Sequence, residues 1–257
     1  MHNVRVLCKR GGSSGAGSRG NSGNTSVQQQ QQTTPSGVTY DQFMQMSLDE
    51  RYDLINQIAT DNTIQVPKHL DDSITTKVMY AIGMNNKPNV VSDSELDDMF
   101  GQNYYRTVDS ASRRISAKDI LDQIKTSDFT RLSATGGSLH GRALYFARDF
   151  LESASYGTKR GASVMRVKFD PFSNIITEDN LLTRMGNDQT FNRKVSVRTH
   201  DRRSLYALAN GIDGWEDTNL GYLMLLNRGV MTASSTNKKA FGPQGVVYDD
   251  WESSPNV

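Results

Sequence analysis

The stretch from His140 to Gly157 constrains the fold more than any other part of the sequence. It is HGRALYFARDFLESASYG, in which an apolar and aromatic run typical of a strand follows a glycine. An aspartate then precedes a short segment of helical composition that ends on Tyr156. A strand that leads into a helix can fold back so that the aromatic residues near its two ends, Tyr145 and Tyr156, face each other. Two facing rings with a hydroxyl between them predict a slot for a flat heteroaromatic group that carries an amide.

Length, charge and hydropathy limit the remaining possibilities. The chain has 257 residues and a formal net charge of +1, which allows one large domain or a tail followed by one domain. The near-neutral balance provides no field that steers nucleic acid to the chain, so no nucleic-acid partner is expected. No apolar run approaches the ~20 residues that span a bilayer, and the N-terminus lacks the apolar core of a secretion signal. We therefore expect no membrane partner. The lone Cys8 excludes an internal disulfide framework.

Three regions follow one another along the chain. Residues 1–37 are rich in glycine and serine and then in glutamine, and such a composition predicts a disordered, flexible arm. Residues 38–97 have helical spacing and N-cap signals, including a capping-box pattern at Ser47 to Glu50, and predict a small helical lobe. Residues 98–257 interleave strand-like and helix-like segments irregularly. This order favours an α+β domain over a regular doubly wound sheet.

Periodicity and cap residues predict the individual elements. In the lobe, a helix begins at Asp71 or Asp72 and ends at Gly83, and a loop covers 85–93. In the α+β domain, the predicted strands are 103–108, 143–147, 162–169 and 222–226. The predicted helices of this domain are 116–126, 149–156 and 201–210. Residues 246–248 are predicted to form a last edge strand.

The segment GRALYFARDFLESASYG resembles the signature of poly(ADP-ribose) polymerases and their diphtheria-toxin-like relatives, which belong to the ADP-ribosyltransferase superfamily. In that signature a strand of the type Gly-x-Gly-Ile-Tyr-Phe-Ala precedes a helix that ends in Ser-Ala-x-Tyr, and the spacings match those here. The resemblance implies that Tyr145 and Tyr156 stack on the nicotinamide ring of NAD. It also implies that the hydroxyl of Ser153 binds the nicotinamide carboxamide.

Two further stretches are similar to members of the same superfamily. Tyr104 to Thr107 looks like the first core strand, which implies that Arg106 lies beside the ribose and phosphates of NAD and that the backbone of Thr107 contacts the carboxamide. Residues 211–215 and 222–227 look like the Gly-Tyr-Asp-Gly turn and penultimate strand of phage- and toxin-encoded members. The resemblance thus implies an ADP-ribosyltransferase-like split β-sheet core, NAD as co-substrate and a phage or prophage origin.

The chain departs from the family where the catalytic glutamate is expected. That glutamate precedes the apolar run of a late strand, whereas here Leu220 and Gly221 do so, and Gln244 replaces it in the similar segment PQGVVYD. The histidine of the first strand is also absent. A glutamine can hydrogen-bond a ribose hydroxyl, but it cannot act as a base. The candidates for the catalytic carboxylate position are therefore Glu216 first, followed by Asp217 and Gln244.

Each expected pocket residue also has a structural interpretation that the sequence leaves open. Tyr145 and Tyr156 could be core aromatic residues, Ser153 a small helix residue, and Arg106 a structural ion-pair partner. The basic run at 193–203 is either a solvated loop and helix start or a contact for NAD phosphates or an anionic target.

Other site types are not expected. His140 is predicted to be an exposed loop residue, and no histidine or cysteine spacing suggests metal ligands. Gly136-Gly137 and Gly141 lack both the Lys-Ser/Thr ending of a P-loop and the Gly-x-Gly-x-x-Gly pattern after a strand, so neither a P-loop nor a Rossmann fold is expected.

These observations lead to ranked functional hypotheses. The first is an NAD-binding mono-ADP-ribosyltransferase that transfers ADP-ribose to a host protein or another host macromolecule. The second is a catalytically inactive protein of the same fold that serves a structural role in a phage virion and contacts phage structural proteins. The missing glutamate and the long arm motivate it. A weaker third is an NAD glycohydrolase. The expected locations are the host cytoplasm or the virion.

Overall fold

The computed structural model describes residues 34–109, 115–132, 140–157, 161–197, 199–242 and 244–257. Of the predicted arm, 1–37, the part up to residue 33 lies outside the described residues. The next residues contact the rest of the chain, because the hydroxyl of Ser36 donates a hydrogen bond to the carbonyl oxygen of Ala81 at 2.6 Å.

Helices and strands alternate irregularly, as the sequence predicts. The helices are α1 (Tyr40–Gln45), α2 (Leu48–Thr60), α3 (Ile74–Ala81), α4 (Asp93–Asp98), α5 (Ala117–Thr126), α6 (Phe150–Ser155), α7 (Glu178–Asn187), α8 (Gln189–Lys194) and α9 (Thr199–Ala209). The strands are β1 (Asn89–Val91), β2 (Tyr104–Val108), β3 (Leu144–Ala147), β4 (Ser163–Phe169), β5 (Ile175–Thr177), β6 (Gly214–Asp217), β7 (Tyr222–Leu225) and β8 (Met231–Lys239). A 3-10 turn, Arg228–Val230, links β7 to β8. Among the described residues, no helix has the length and apolar composition needed to cross a bilayer.

The strands of the described residues form one mixed sheet in the order β1-β8-β4-β2-β3-β7-β6-β5. The two outer pairs, β1 with β8 and β5 with β6, are parallel, and the inner pairs are antiparallel. The coarse prediction of a mixed helix-and-strand fold is therefore confirmed.

The junction between β2 and β3 is the narrowest in this sheet. Within the described residues the two strands pair at one position, Tyr105 with Ala147. By contrast, β2 pairs with β4 at five consecutive positions. Beyond that pair, a side chain bridges the two strands, because Nη1 of Arg106 donates to the carbonyl oxygen of Tyr145 at 2.9 Å. The sheet thus opens between the end of β2 and the start of β3.

The two faces of the sheet carry different residues, because successive side chains of a strand point to opposite sides. Tyr105 and Thr107 share one face with Tyr145 and Tyr222, as their registers across β2, β3 and β7 require. We term it the α6 face, because helix α6 packs on it through a contact between Ser153 and Thr107. The opposite face carries the other set of side chains, among them Arg106, Phe146, Leu223 and Glu216.

The helices of the predicted lobe share their core with the sheet. Phe43, Ile55 and Val78, from α1 to α3, are fully buried in one hydrophobic cluster with Leu144 and Leu223 of the sheet. Strand β1, which also falls within residues 38–97, pairs with β8. The described residues accordingly form one compact unit. The reason is that α1 to α3 bury their apolar faces against this core rather than against one another alone.

A second, smaller cluster lies on the α6 face. Phe150 and Ala154 of α6 pack there against Val164 of β4 and Trp251 of the C-terminal segment. The ring of Tyr105 packs against both Phe150 and Trp251, with centroids 5.7 Å and 6.1 Å away. This cluster fixes α6 across β2 and β4, and so fixes the side chains that α6 presents to the sheet.

Cap residues determine where most helices begin. Thr39, Ser47 and Ser116 each accept a hydrogen bond from the backbone N–H three residues on and form capping boxes. Helix α3 begins at Ile74, two or three residues later than predicted, because Ser73 is its N-cap. Asp71 does not cap the helix. Its buried carboxylate accepts hydrogen bonds from the backbone N–H of Ser73, the hydroxyl of Thr76 and the backbone N–H of Leu132.

Two predictions for the strands are wrong. Residues 246–248 do not form an edge strand, and only Val247 makes an isolated bridge, to Phe241. The segment predicted as a loop, 85–93, contains β1. In both places, pairing with strands that are distant in sequence determines which residues join the sheet. Strand β8 pairs with β1 and β4, and the residues that follow β8 lie outside the sheet.

Candidate functional site

The segment that the sequence singles out folds as strand β3 followed by helix α6. Asp149 is the N-cap of α6, and its Oδ1 accepts from the backbone N–H of Glu152 at 2.9 Å. The helix directs Ser153 onto the sheet, where its side chain is 2 % exposed. Its hydroxyl oxygen lies 2.9 Å from that of Thr107 on β2. Two of the predicted site residues therefore meet directly, beside the opening between β2 and β3.

Tyr145 lies on the same face and is half-buried. Its hydroxyl donates to the carbonyl oxygen of Gly141 at 2.5 Å. Burial raises the pKa of this phenol to about 12. Gly141 has a φ of 95°, and a Cβ there would lie 3.0 Å from Oγ of Ser204 and 3.1 Å from the ring of Trp215. The turn that holds Tyr145 therefore requires glycine.

Tyr156, in contrast, is 59 % exposed and ends helix α6. Its hydroxyl donates to that of Tyr222 on β7 at 2.5 Å, and the two rings meet edge-on with centroids 5.8 Å apart. The pKa of Tyr222 is raised by burial and by hydrogen bonds with Glu152 and Tyr156. We term Glu152, Tyr156 and Tyr222 the tyrosine cluster. It places one carboxylate beside the exposed ring.

Arg106 lies on the opposite face from Thr107 and is paired in register with Met165 of β4. Desolvation lowers the pKa of its guanidinium to about 10, so the side chain stays charged at neutral pH. One of its nitrogens is used at the carbonyl oxygen of Tyr145. In this structure Arg106 holds the two strands of the opening together.

The predicted carboxylate candidates lie in different places. Glu216 is on the opposite face, where its carboxylate accepts from the hydroxyl of Tyr104 at 3.0 Å and forms a two-point ion pair with Arg148 at 2.6 and 2.8 Å. Asp217 is on the α6 face, paired in register with Tyr222. Gln244 is exposed, in a turn closed by a hydrogen bond from the backbone of Gly242 to Val246. The three are not brought together.

The basic run at 193–203 is largely engaged within the chain. Lys194 forms ion pairs with Asp49 and Asp53 of α2 at 2.7 and 2.8 Å. Arg203 forms an ion pair with Glu178 at the start of α7. These contacts attach α8 and α9 to their neighbours. Residue 198 lies outside the described residues.

His140 is not the exposed loop residue that the sequence predicts. Its Nδ1 lies 2.7 Å from Oε2 of Glu178 and 3.9 Å from Oδ2 of Asp217, and the side chain is 24 % exposed. The indole N–H of Trp215 donates to its carbonyl oxygen at 3.0 Å, which fixes the backbone here. The prediction fails because the two acids come from α7 and β6, far along the chain.

Sequence reasoning missed two acids of this region, Glu152 and Glu178, and the contact of His140 with the second of them. Glu152 precedes Ser153 on the same helix and was detectable as the acid inside the recognised segment. The set His140, Glu178 and Asp217, whose ligand-type atoms all lie within 4.8 Å of one another, was expected to contain no metal ligands. No local spacing could have indicated it, because each residue comes from a different element.

The α6 face therefore carries two adjoining groups. One comprises the hydroxyls of Thr107 and Ser153, the ring of Tyr145 and the tyrosine cluster. The other comprises His140, Glu178 and Asp217, joined to the first by the turn at Gly141. Comparison of the chain with protein-family models, with curated proteins and with solved structures found no match.

Proposed function

We propose that this chain binds NAD on the α6 face and transfers ADP-ribose to a macromolecular acceptor, on an ADP-ribosyltransferase-like fold. The nicotinamide occupies the opening between β2 and β3, with Tyr145 below it and the exposed ring of Tyr156 beside it. The proposal rests on the sequence resemblance of residues 141–157 together with the geometry of those residues.

The observation that carries the proposal is the meeting of Ser153 and Thr107. Their hydroxyls lie 2.9 Å apart next to the one-pair junction of β2 and β3. A carboxamide offers a carbonyl acceptor and an N–H donor, and hydroxyls can both donate and accept. Aromatic rings on the same face would stack on the attached pyridinium. A polar pair beside aromatic rings on a rigid strand and helix suits one flat amide-bearing ring.

The chemistry requires a carboxylate near the reacting ribose. Cleavage of the nicotinamide N-glycosidic bond passes through an oxocarbenium-like state, which an anionic side chain stabilises. Glu216 is on the other face and is bound by Arg148, so it is a poor choice. Glu152 of the tyrosine cluster and Asp217 are acids of the α6 face. Of these, Glu152 contacts Tyr222, the partner of Tyr156, and we assign it the role of ribose carboxylate.

One observation favours the second function, an inactive protein of this fold. Two of the three residues that replace or stand near the family's glutamate are unsuited to catalysis, because Gln244 has no charge and Glu216 is held in an ion pair on the far face. Such a protein would not turn NAD over, whether or not it bound it, and would serve as a structural or interaction module. An NAD glycohydrolase, with water as acceptor, uses the same pocket as the transferase.

The test combines binding with turnover. Purified full-length chain is titrated with NAD by calorimetry and is then incubated with isotope-labelled NAD and a host-cell lysate. Free nicotinamide and macromolecule-bound label are measured. Tyr156→Ala removes an exposed ring of the pocket, and Phe172→Ala, which removes a ring that is 94 % exposed elsewhere, is its matched control.

The outcomes separate the functions. Nicotinamide release with label on a macromolecule, lost in Tyr156→Ala and kept in Phe172→Ala, supports the transferase. Release without transfer supports the glycohydrolase. Binding without turnover supports the inactive protein, and absence of NAD binding overturns the assignment of this face to NAD.

A further inference from the structure

The three side chains His140, Glu178 and Asp217 converge from separate elements. His140 precedes β3, Glu178 is the first residue of α7, and Asp217 is the last residue of β6. Nδ1 of His140 is 2.7 Å from Oε2 of Glu178 and 3.9 Å from Oδ2 of Asp217. An imidazole nitrogen and two carboxylate oxygens are therefore brought to one point.

The two carboxylates are each held from outside the point where the three side chains meet. Oε1 of Glu178 is bound by the guanidinium of Arg203, which leaves Oε2 for His140. Oδ1 of Asp217 accepts from the backbone N–H groups of Asn219 and Leu220 at 2.9 and 3.1 Å, and Oδ2 faces His140. Supporting contacts of this kind orient metal ligands in proteins.

His140 and Glu178 are in direct contact at 2.7 Å, whereas the spacing between His140 and Asp217 suits a shared ion better than a direct contact. With metal–ligand bonds of about 2.0–2.2 Å, two ligand atoms on one ion lie roughly 3–4 Å apart. The distance from His140 to Asp217, 3.9 Å, is too long for a hydrogen bond and falls in that range. All three ligand atoms lie within 4.8 Å of one another, so shifts of less than about 1 Å would bring them onto one ion.

The charge and the surroundings of the two carboxylates also favour a bound cation. The carboxylates of Glu178 and Asp217 are only 11 % and 13 % exposed, and Arg203 balances just one of them. Partly desolvated carboxylates are stabilised by a counter-charge. An open cavity of about 50 Å³, lined also by Asp179 and Thr218, borders both carboxylates on the side away from His140, which does not line it.

We propose that His140, Glu178 and Asp217 form a binding site for one divalent transition-metal ion. One imidazole nitrogen with two carboxylate oxygens is a donor set for Zn²⁺ or Mn²⁺, whereas Ca²⁺ and Mg²⁺ favour oxygen alone. Solvent completes the coordination. This proposal does not depend on NAD binding, although Gly141, next to His140, holds the hydroxyl of Tyr145.

The test is titration of the metal-free, untagged full-length chain with Zn²⁺ by calorimetry, repeated with Mn²⁺. All proteins carry His2→Ala and Cys8→Ser, which remove competing ligands from the N-terminal segment. We expect one ion per chain. His140→Ala and Asp217→Asn should each weaken binding by about 100-fold or more. His69→Ala, at an exposed histidine elsewhere, should leave it unchanged.

Folding of the variants is checked by their thermal unfolding without metal. Asp217→Asn keeps the Oδ1 acceptor for Asn219 and Leu220, so it is expected to fold. Zn²⁺ should raise the midpoint of the parent chain and leave that of His140→Ala unchanged. If the parent binds neither ion, or if folded Asp217→Asn and His140→Ala bind as tightly as the parent, the three residues form an ion-pair network only and the proposal is overturned.

Discussion

At the scale of single residues, two hydroxyls set the character of the α6 face. Ser153 is almost completely buried, and its hydroxyl has a hydrogen-bond partner in the hydroxyl of Thr107, 2.9 Å away. A buried hydroxyl without a partner costs free energy, so each member of the pair accounts for the other. The same two hydroxyls are the groups that the carboxamide of the proposed NAD would contact. They therefore contribute both to the stability of the fold and to the proposed binding of NAD.

The energy of this pair can be measured by a double-mutant cycle. We expect Ser153→Ala and Thr107→Val each to lower the free energy of unfolding by about 1 kcal/mol, since each leaves one hydroxyl without its partner. The double variant should lose less than the sum, with a coupling of roughly 0.5–1.5 kcal/mol. Urea unfolding of the four proteins gives the values. Strictly additive losses would show that the two hydroxyls do not interact in solution.

The choice between two glutamates is also a residue-scale question. If the proposed reaction occurs, Glu152→Gln should lower nicotinamide release by about 10²-fold or more, because the carboxylate is lost beside the pocket. Glu216→Gln is the matched control on the other face, where it only weakens the contact with Arg148. Single-turnover release of nicotinamide distinguishes them. A larger loss in Glu216→Gln than in Glu152→Gln would reverse the assignment.

At the scale of elements, helix α6 ends in a restricted space. Gly157 follows it, and a Cβ there would lie 2.7 Å from Cβ of Ala162, 2.8 Å from Cγ2 of Thr107 and 3.1 Å from the ring of Phe241. In α7, by contrast, a Cβ on Gly186 would meet nothing within 4 Å. The two glycines have opposite roles. One allows close packing of α6 on the sheet, and the other only adds flexibility to the unfolded chain.

The pair of alanine variants should therefore differ in sign. Gly157→Ala is expected to lower the free energy of unfolding by about 1–3 kcal/mol through overpacking. Gly186→Ala should raise it by about 0.5 kcal/mol, because alanine restricts the unfolded chain and favours the helix. The midpoints of urea unfolding provide the comparison. A neutral Gly157→Ala would mean that α6 can move away from β2 without cost.

The sequence predicts those elements whose signals are local. The capping boxes at Ser47 and Ser116 and the apolar run of β7 correctly locate α2, α5 and that strand. The longest strand, β8, was missed because MTASSTNKK is polar. Its polar residues are matched by distant partners, as with Ser234 and Asp93 at 2.6 Å. Such a strand can be recognised only once the neighbouring elements are in place.

For the site, as for the elements, the sequence predicts only the contacts whose signals are local. One contiguous motif and one strand predict Ser153, Thr107 and the two tyrosines as site residues, and the structure brings the first two into contact. The sequence favours Glu216 because it lies close to β7 along the chain, but strand alternation puts it on the other face from Asp217. The convergence of His140 with Glu178 depends on the packing of α7 on the sheet, which the sequence gives no local means of predicting.

At the scale of the whole molecule, buried cations join helix α5 to strand β8 and to the 3-10 turn that precedes it. Arg228, after β7, donates to the carbonyl oxygens of Ile124, Ser127 and Asp128 at the end of α5. Lys125 is 4 % exposed and donates to Oδ1 of Asn237 on β8 at 2.6 Å. These contacts join segments about a hundred residues apart in sequence, so their loss affects the global unfolding transition rather than one loop.

Lys125 makes that transition dependent on pH. Desolvation lowers its pKa in the folded protein from 10.5 to about 8. Between these values the unfolded chain binds more protons than the folded chain, so the contribution of Lys125 to the free energy of unfolding rises with pH. From pH 8 to pH 10 the expected gain is about 2 kcal/mol. Well below pH 8 the lysine is protonated in both states, and its contribution does not change with pH.

The measurement compares the parent chain with Lys125→Met, so that other titrating groups cancel. Urea unfolding is followed at intervals from pH 7 to pH 10, and the difference in free energy between the two proteins is plotted against pH. That difference should be constant up to about pH 7.5 and should then shift in favour of the parent as the folded-state lysine loses its proton. Lys118→Met, at an exposed lysine of the same helix, is the matched control and should give no such shift over this range. A difference that stays flat from pH 7 to pH 10 would mean that Lys125 remains protonated in the folded protein, and that Asn237 and the nearby Asp122 compensate for its burial.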